Sequence, residues 1–209
     1  MANFDLLNLT PTTISRDLKS KYVLIFSEPK AGKTSLATQI DKSLLVAFER
    51  GYNALAGIKK VDITSWSDFK MMLRQLKDDQ VKDMYDVLII DTASIAWERC
   101  TEYICNQNHV TNLTDMAYGK GYAAASTEFS KMFRDIAALG YGIVFLAHSE
   151  EKIPFGGSEE QGYIAPMLDK RPYKIINGMV DIIACIDVDK NTGERFLQMR
   201  STPRIMAGS

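Results

Sequence analysis

Short apolar runs alternate with longer amphipathic segments along the chain from Lys21 onward. The short runs are typical of strands buried within a sheet, and the longer segments place apolar residues at helical spacing. This alternation predicts an α/β fold in which helices flank a mainly parallel sheet. The predicted strands are 22–26, 44–48, 87–91, 142–147, 181–187 and 195–200, and the predicted helices are 33–40, 66–76, 95–105 and 123–139.

Turn-forming residues mark the connections between these elements. The sequence Lys190-Asn191-Thr192-Gly193 favours a tight turn, so we expect the last two strands to form an antiparallel hairpin at the C-terminal edge of the sheet. Two stretches rich in glycine and polar residues, 106–122 and 149–166, are predicted to be loops, which in α/β proteins commonly carry function. Residues 1–20 are predicted to be an extended lead-in, and residues 21–209 a single core domain.

The composition narrows the class of protein. A chain of 209 residues with 46% hydrophobic side chains is long enough to bury one sizeable core. Its 25 basic and 26 acidic residues give a net charge of -1, so any nucleic-acid binding has to be local. No apolar run approaches the roughly 18 residues of a membrane span, and the first residues lack a signal-peptide pattern. We therefore expect a cytoplasmic protein without membrane contact, with its three cysteines reduced.

The segment from Ser27 to Thr34 has the pattern of a phosphate-binding loop. It reads Ser-Glu-Pro-Lys-Ala-Gly-Lys-Thr and matches GxxxxGK[ST] except at its first position, where serine stands in place of glycine. The pattern requires a strand, a tight loop with inward-facing N–H groups and a following helix, and all three are predicted here. The predicted ATP-binding residues are Ser27, Glu28, Pro29, Lys30, Ala31, Gly32, Lys33, Thr34 and Ser35, with Lys33 also assigned to catalysis.

A magnesium site is predicted at Thr34 and Asp91. The threonine hydroxyl of such a loop ligates Mg²⁺, and an aspartate at the end of a neighbouring buried strand commonly completes the site. Asp91 ends the run Val87-Leu88-Ile89-Ile90, which predicts a strand buried on both faces. The alternative interpretation is that Asp91 caps the following turn.

Two further strand ends carry candidate catalytic groups. The residue after Asp91 is Thr92, so a carboxylate that polarises the attacking water has to come from another strand, and Glu49 follows the predicted strand 44–48. His148 follows the strand 142–147, where its side chain could contact the γ-phosphate and report it to the next segment. Ligands bind at the carboxyl ends of parallel strands, which places both residues at the expected edge. Glu49 could instead begin a solvated loop, and His148 could be a structural group.

The order of these strand ends resembles that of RecA-type ATPases. The phosphate loop, Glu49, Asp91 without an adjacent glutamate, and His148 follow one another as they do in a RecA core. More narrowly, the chain resembles the small phage-encoded RecA-like ATPases associated with single-strand annealing and recombination. The resemblance covers nearly the whole chain and is carried by residues 9–11, 29–34, 48–51, 89–92, 118–122, 147–149 and 176–181.

The resemblance implies a DNA-stimulated ATPase that binds single-stranded DNA as a homo-oligomer in the host cytoplasm, with a single-strand DNA-binding protein as a further candidate partner. In RecA-like proteins the loops after the magnesium strand and after the sensor strand line the DNA path, which here gives the predicted loops 106–122 and 149–166. The candidate DNA contacts are Lys120, Tyr122, Lys152 and Phe155. Glutamates in the second loop oppose a phosphate track, and the basic segment 170–174 is a competing contact site.

Arg200 and Arg204 follow the last predicted strand and are the candidate catalytic cations. In many oligomeric ATPases, an arginine from a neighbouring subunit neutralises charge that develops on the γ-phosphate. We therefore expect one of these arginines to act in trans.

Two other functions fit the same motifs. A nucleotide-gated accessory module of replication or recombination would bind ATP without hydrolysing it. A small-molecule P-loop kinase would transfer phosphate to an acceptor, but such kinases close an arginine-rich lid, and the segment 149–166 contains no arginine. Phosphate release with and without DNA distinguishes these functions.

Overall fold

A computed structural model describes Pro11, Thr13 and residues 15–209, except 155–157, 159–160 and 190. The described part contains eight strands. They are β1 (Tyr22–Ser27), β2 (Ser43–Ala47), β3 (Lys60–Asp62), β4 (Val87–Asp91), β5 (Gly142–Lys152), β6 (Tyr163–Pro166), β7 (Ile182–Val188) and β8 (Arg195–Gln198).

The strands form one sheet in the order β3-β2-β4-β5-β1-β7-β8. All neighbours from β3 to β7 pair in parallel, and β7 pairs with β8 in antiparallel fashion. The predicted α/β fold, with a mainly parallel sheet and an antiparallel pair at its C-terminal edge, is therefore confirmed. Because β5 lies between β1 and β4, its carboxyl end lies between the end of the strand that leads to the phosphate loop and the end of the strand that carries Asp91.

Helices cover both faces of the sheet. They are α1 (Lys33–Ala37), α2 (Trp66–Gln75), α3 (Asp79–Met84), α4 (Ala93–Gln107), α5 (Lys120–Ala138) and α6 (Lys170–Asn177). Alternating residues of each strand face opposite sides: Leu24 and Phe26 join the larger apolar cluster, whereas Val23 and Ile25 join the smaller one. None of the helices in the described part of the chain is both long and apolar enough to cross a membrane.

The larger cluster contains a run of aromatic contacts that fixes α2, α4 and α5 on the sheet. Phe129 of α5 stacks on Trp66 with ring centroids 5.8 Å apart and meets the edge of Trp97 at 5.3 Å. Phe133, one helical turn later, contacts Phe145 of β5 at 4.9 Å. Aromatic pairs of this kind stabilise a core beyond their area burial, so α5 and β5 form a rigid base for the carboxyl ends of the strands.

The segment 149–166, predicted to be a loop, contains a hairpin. Strand β5 runs five residues beyond Ala147 to Lys152, and β6 returns antiparallel to it with Ser149 opposite Pro166. The first segment predicted to be a loop, 106–122, is also partly helical, since α4 extends to Gln107 and α5 already begins at Lys120. The loop prediction was therefore wrong for parts of both segments. Leu9, Thr10 and most of the predicted lead-in lie outside the described residues, and Leu18–Ser20 form a short 3₁₀ turn.

Candidate nucleotide site

The phosphate loop connects β1 to α1 in the manner that the sequence predicts. Gly32 immediately precedes α1 with φ of 101°, a left-handed conformation that favours glycine. Lys30 also has a positive φ, of 65°, whereas Ser27 does not. A loop that winds in this way turns successive backbone N–H groups to one side, where they can bind an anion.

Lys33 is folded into this loop. Its side chain is buried, and Nζ lies 3.3 Å from the carbonyl oxygens of Ser27 and Glu28. Burial lowers the pKa of Lys33, opposed by the nearby carboxylates of Asp91 and Glu49. An ammonium group held by carbonyl oxygens in this way can exchange them for phosphate oxygens when a nucleotide binds.

Ser27 supports this lysine. Its hydroxyl donates to the carbonyl of Glu28 at 2.9 Å and lies 3.3 Å from Nζ of Lys33. The residue is fully buried at the end of β1. The serine therefore packs beneath the loop and does not fill the space that phosphates would occupy.

Thr34 and Asp91 meet across the sheet edge. The Thr34 hydroxyl donates to Oδ2 of Asp91 at 2.8 Å, and burial raises the pKa of this carboxyl group although the Thr34 hydrogen bond lowers it. A hydroxyl and a carboxylate are oxygen ligands of the kind that Mg²⁺ prefers, and a buried carboxylate gains from a bound cation. The two residues therefore fit a Mg²⁺ ion that is shared with nucleotide phosphates. The peptide bond from Asp91 to Thr92 is cis.

Glu49 lies at the same edge, held by its backbone and its side chain. Its N–H donates to the carbonyl of Asp91 at 3.2 Å, which ties the end of β2 to the end of β4. The Thr92 hydroxyl donates to Oε2 of Glu49 at 3.4 Å, and Nε2 of His148 lies 3.6 Å from Oε1. The Glu49 side chain keeps 34% exposure, so water can reach it.

His148 stands between the phosphate loop and Glu49. Its Nδ1 lies 3.3 Å from Nζ of Lys33, on the opposite side of the ring from Glu49. The register explains this position, because Ser27 of β1 pairs with His148 of β5. The structure thus brings together Lys33, Glu49, Asp91 and His148 from four different strand ends. The structure adds Thr92, which the sequence marked only because it stands where many ATPases have a glutamate.

A cavity of about 510 Å³ adjoins the phosphate loop on the side of β7. This volume lies within the range of small-molecule sites. Its lining includes Glu28 and Pro29 of the loop, Asp187 of β7, Arg195 of β8 and Arg204 of the C-terminal segment. The cavity has the size and position to receive the nucleoside part of a nucleotide whose phosphates lie in the loop.

The two candidate arginines are placed differently. Arg204 lines the cavity beside the phosphate loop of its own chain, and its carbonyl accepts from the N–H of Ile164 in β6 at 2.7 Å. Arg200 is exposed beyond β8 and is not part of that lining. Arg195, which the sequence did not single out, also lines the cavity. A Cβ atom placed on Gly32 would lie 3.5 Å from the guanidinium of Arg195.

The candidate DNA contacts also divide into separate places. Lys120 is exposed at the start of α5, and Tyr122 one half-turn later packs against Arg171 of α6. Lys152, at the end of β5, forms an ion pair with Glu150 at 3.0 Å. Phe155 lies outside the described residues. Tyr122 therefore contacts the basic segment of α6, Lys120 lies two residues before it on α5, and Lys152 is already paired with an acid.

The sheet, the phosphate loop after its first strand, and the buried lysine and aspartate define the class of α/β P-loop nucleotide-binding proteins. A family model described as an AAA domain matches residues 19–209, and the chain belongs to this family. Membership in it indicates a nucleotide-binding domain of the ATPase type.

A curated relative of the chain is described as prophage-derived. The chain is 29% identical over 182 residues to the SPbeta prophage-derived uncharacterized protein YorG of Bacillus subtilis (strain 168). The match covers 86% of this chain and 54% of that protein, so the chain spans about half the length of the curated relative.

Proposed function

We propose that this protein hydrolyses ATP with Mg²⁺, and that single-stranded DNA stimulates the hydrolysis during phage recombination or annealing. The convergence of Lys33, Asp91, Glu49 and His148 at one sheet edge is the observation that carries the proposal. Each comes from a different strand end, and together they supply the polar groups that phosphoryl transfer to water needs.

ATP would bind with its β- and γ-phosphates in the loop and its nucleoside in the adjoining cavity. Lys33 would leave the carbonyls of Ser27 and Glu28, now 3.3 Å away, and pair with phosphate oxygens. Thr34 and Asp91 would hold Mg²⁺, which when bound neutralises charge on the phosphates. Positioning and charge stabilisation are the main contributions of a protein to this reaction.

Glu49 is the group that we assign to the attacking water. A new bond forms between the water oxygen and the γ-phosphorus, the bond from that phosphorus to the bridging oxygen breaks, and ADP leaves. The Glu49 carboxylate accepts a proton from the water, and the products are ADP and inorganic phosphate. Its partial exposure and its contacts with Thr92 and His148 suit a carboxylate that is oriented yet open to water.

The link to DNA rests on different support. The chain resembles phage RecA-like ATPases in its ordered motifs, and the curated relative is described as prophage-derived. The near-neutral net charge means that a DNA contact has to be a local basic surface.

Phosphate release measured with single-stranded DNA, with duplex DNA and without DNA tests the proposal, with Lys33→Ala as the matched inactive control. We expect release that single-stranded DNA increases and that Lys33→Ala abolishes. Release that no DNA changes would remove the DNA part of the proposal.

A non-hydrolysing, nucleotide-gated module is the second candidate. The observation that favours it is that both Glu49 carboxylate oxygens already have neighbours, Thr92 at 3.4 Å and His148 at 3.6 Å. ATP binding without phosphate release under every DNA condition would support this function and overturn the first.

A further inference from the structure

Three cations lie on one exposed face of α6. Lys170, Arg171 and Lys174 fall within roughly a 100° arc of the helix, opposite the buried Pro172 and Ile176. None of the three lies within ion-pair distance of an acidic side chain among the residues that the structure describes. Their charges are therefore available to an external anion.

The start of α5 extends this basic face. The guanidinium of Arg171 lies 4.6 Å from the ring centre of Tyr122, which joins α6 to the first turn of α5. Lys120 is exposed on the same turn, and Tyr118 just before it is 98% exposed. From the sequence, residues 170–174 are an alternative to the glutamate-rich segment 149–166, and the contact of Arg171 with Tyr122 joins them to residues 118–122 in one surface. We call these residues, Tyr118, Lys120, Tyr122, Lys170, Arg171 and Lys174, the α6 surface.

The composition of the α6 surface fits single-stranded nucleic acid. Proteins that bind single strands combine cations that contact the backbone with aromatic rings on which bases stack. Asp169, at the start of α6, is the exposed acid next to this cluster along the chain. The β5–β6 hairpin is less suitable, because Glu150 and Glu151 lie there and Lys152 already pairs with Glu150.

The α6 surface is also connected to the candidate nucleotide site. The carbonyl of His148 accepts a hydrogen bond from the N–H of Met167 at 2.7 Å. This hydrogen bond lies next to the last residue pair of the β5–β6 hairpin, Ser149 and Pro166. Leu168, the next residue, is buried in the core, and α6 begins at Lys170. Only two residues therefore separate α6 from Met167, which is hydrogen-bonded to the backbone of His148. The side chain of His148 in turn contacts Lys33 and Glu49.

We propose that the α6 surface binds single-stranded DNA and that the His148–Met167 link couples its affinity to nucleotide. This inference rests on the proposed function and specifies where DNA binds and how the nucleotide site reaches it. A shift of His148 upon ATP binding moves Met167 and hence the start of α6, because the two strands are hydrogen-bonded.

The test uses the full chain with Lys170, Arg171 and Lys174 all changed to Gln. Affinity for a fluorescent oligothymidine is measured over a range of salt concentrations, with ADP or with a non-hydrolysable ATP analogue. Loss of three phosphate contacts is expected to reduce the slope of log affinity against log salt by about 2 and to weaken binding by about tenfold or more at low salt. ATP hydrolysis without DNA should remain at the wild-type rate.

A triple variant of Arg74, Lys77 and Arg134 to Gln is the matched control. These cations are also exposed, but Arg74 lies on α2, Lys77 in the turn just after it, and Arg134 on the last part of α5. The control should bind DNA with the wild-type salt slope. Equal effects of the two triple variants would overturn the assignment of the α6 surface, whereas a wild-type protein that binds no DNA would overturn the proposed function as well.

Tyr118 gives a second readout that does not depend on the triple variant folding. Because the side chain is 98% exposed, Tyr118→Ala removes a ring without leaving a cavity. Loss of base stacking is expected to weaken binding by about fivefold or more without changing the salt slope, and Tyr118→Phe should retain binding. Wild-type affinity in Tyr118→Ala would count against the aromatic part of the surface.

The coupling has its own measurement. His148→Ala should bind oligothymidine with nearly equal affinity in ADP and in the ATP analogue, whereas the wild type should differ between them. A nucleotide dependence that persists in His148→Ala would overturn the proposed link.

Discussion

The Nδ1 atom of His148 lies 3.3 Å from Nζ of Lys33. Because a lysine ammonium has only hydrogens to donate, Nδ1 is the acceptor of this contact, and the ring proton then lies on Nε2, which faces Glu49 at 3.6 Å. The imidazole therefore connects the group that meets the phosphates to the group that we assign to the water. Nucleotide binding, by drawing Lys33 away, would change both contacts of His148.

Replacing His148 with Ala is expected to lower ATP turnover by about tenfold or more while ATP affinity changes little. The reason is that His148 orients Glu49 and contacts Lys33 without being a ligand of the nucleoside cavity. His148→Gln, which keeps one acceptor and one donor at the end of the side chain, should retain more activity than His148→Ala. Turnover and a titration with a fluorescent ATP analogue separate the two effects, and equal turnover in the two variants would argue against the orienting role.

Glu49→Gln is expected to lower turnover by about a hundredfold or more, as removal of a general base commonly does. The substitution keeps the size of the side chain and its contact with Thr92. Mg²⁺-dependent ATP affinity should stay near that of the wild type, since we assign Mg²⁺ to Thr34 and Asp91, whose side chains meet at 2.8 Å, and not to Glu49. Unchanged turnover in this variant would remove Glu49 from the mechanism.

Thr92 is expected to act as a positioning residue for Glu49. Its hydroxyl is buried and donates to Oε2 of Glu49, with Ser94 as its other neighbour at 3.2 Å. Thr92→Val keeps the shape of the side chain and removes the donor, so kcat should fall several-fold while KM for ATP stays similar. Thr92→Ser restores the hydroxyl and should restore kcat. If Ser and Val behave alike, the effect is one of packing and not of orientation.

Asp91→Asn is expected to stabilise the nucleotide-free protein at neutral pH. Burial raises the pKa of Asp91, so the folded state binds a proton more tightly than the unfolded state. The stability of the wild type therefore falls as pH rises from about 3.9, the pKa in the unfolded state, through the raised pKa of the folded state. At pH 7 the wild type is destabilised by this amount. Asp91→Asn has no charge at this position. Its melting temperature should be about 2–4 °C higher for each kcal/mol by which its free energy of unfolding exceeds that of the wild type.

The pH dependence and the ligand response check the origin of that effect. The difference in melting temperature should shrink as pH falls through the raised pKa of the folded state toward about 3.9, and the charge effect should vanish below that pH, where the wild-type carboxyl is protonated in both states. Mg²⁺ with ATP should stabilise the wild type more than Asp91→Asn, because the variant has lost a charged oxygen ligand. A lower melting temperature for Asp91→Asn at pH 7 would contradict the sign of the pKa shift.

The sequence predicted the elements that carry strong local patterns. The run Val87–Ile90 is apolar throughout and, with Asp91 at its end, forms β4 with the predicted bounds, because a strand buried on both faces has apolar residues at every position along its length. By contrast, Lys60–Asp62 forms an edge strand of three partly exposed residues, which is too short to show a period. The hairpin of β5 and β6 was missed because its β5 half, residues 149–152, is polar, and its β6 half, Tyr163–Pro166, has only four residues and ends in proline.

The arrangement of the site depended on information that chain order does not contain. Lys33 was chosen from the phosphate-loop pattern, and Glu49, Asp91 and His148 because a strand ends beside each of them. Their mutual contacts follow from β5 lying between β1 and β4. Helix α6 was missed because Pro172 lies among its basic residues, yet proline is tolerated in the first turn of a helix, where N–H groups have no helical partner. The contact of Arg171 with Tyr122 follows from packing between α5 and α6 and has no counterpart in local sequence.

Arg204 is expected to serve the nucleotide site of its own chain, whereas the sequence suggested that it acts in trans. It lines the cavity beside Glu28 and Pro29, and the segment that carries it is fixed by the hydrogen bond from Ile164 to its carbonyl. Arg204→Ala should weaken ATP binding by about tenfold, the loss typical of one hydrogen bond to a charged group. Arg200→Ala, which removes an exposed cation outside the cavity, is the matched control and should bind ATP as the wild type does.

Mixing two impaired variants decides between the two arrangements. Lys33→Ala lacks a working phosphate loop but keeps Arg204, and Arg204→Ala keeps the loop. If Arg204 acts in trans, mixed oligomers contain sites in which an intact loop meets an intact arginine, and ATP turnover reappears. If it acts in cis, as its position beside the loop of its own chain favours, the mixture should show no more turnover than the sum of the separate variants.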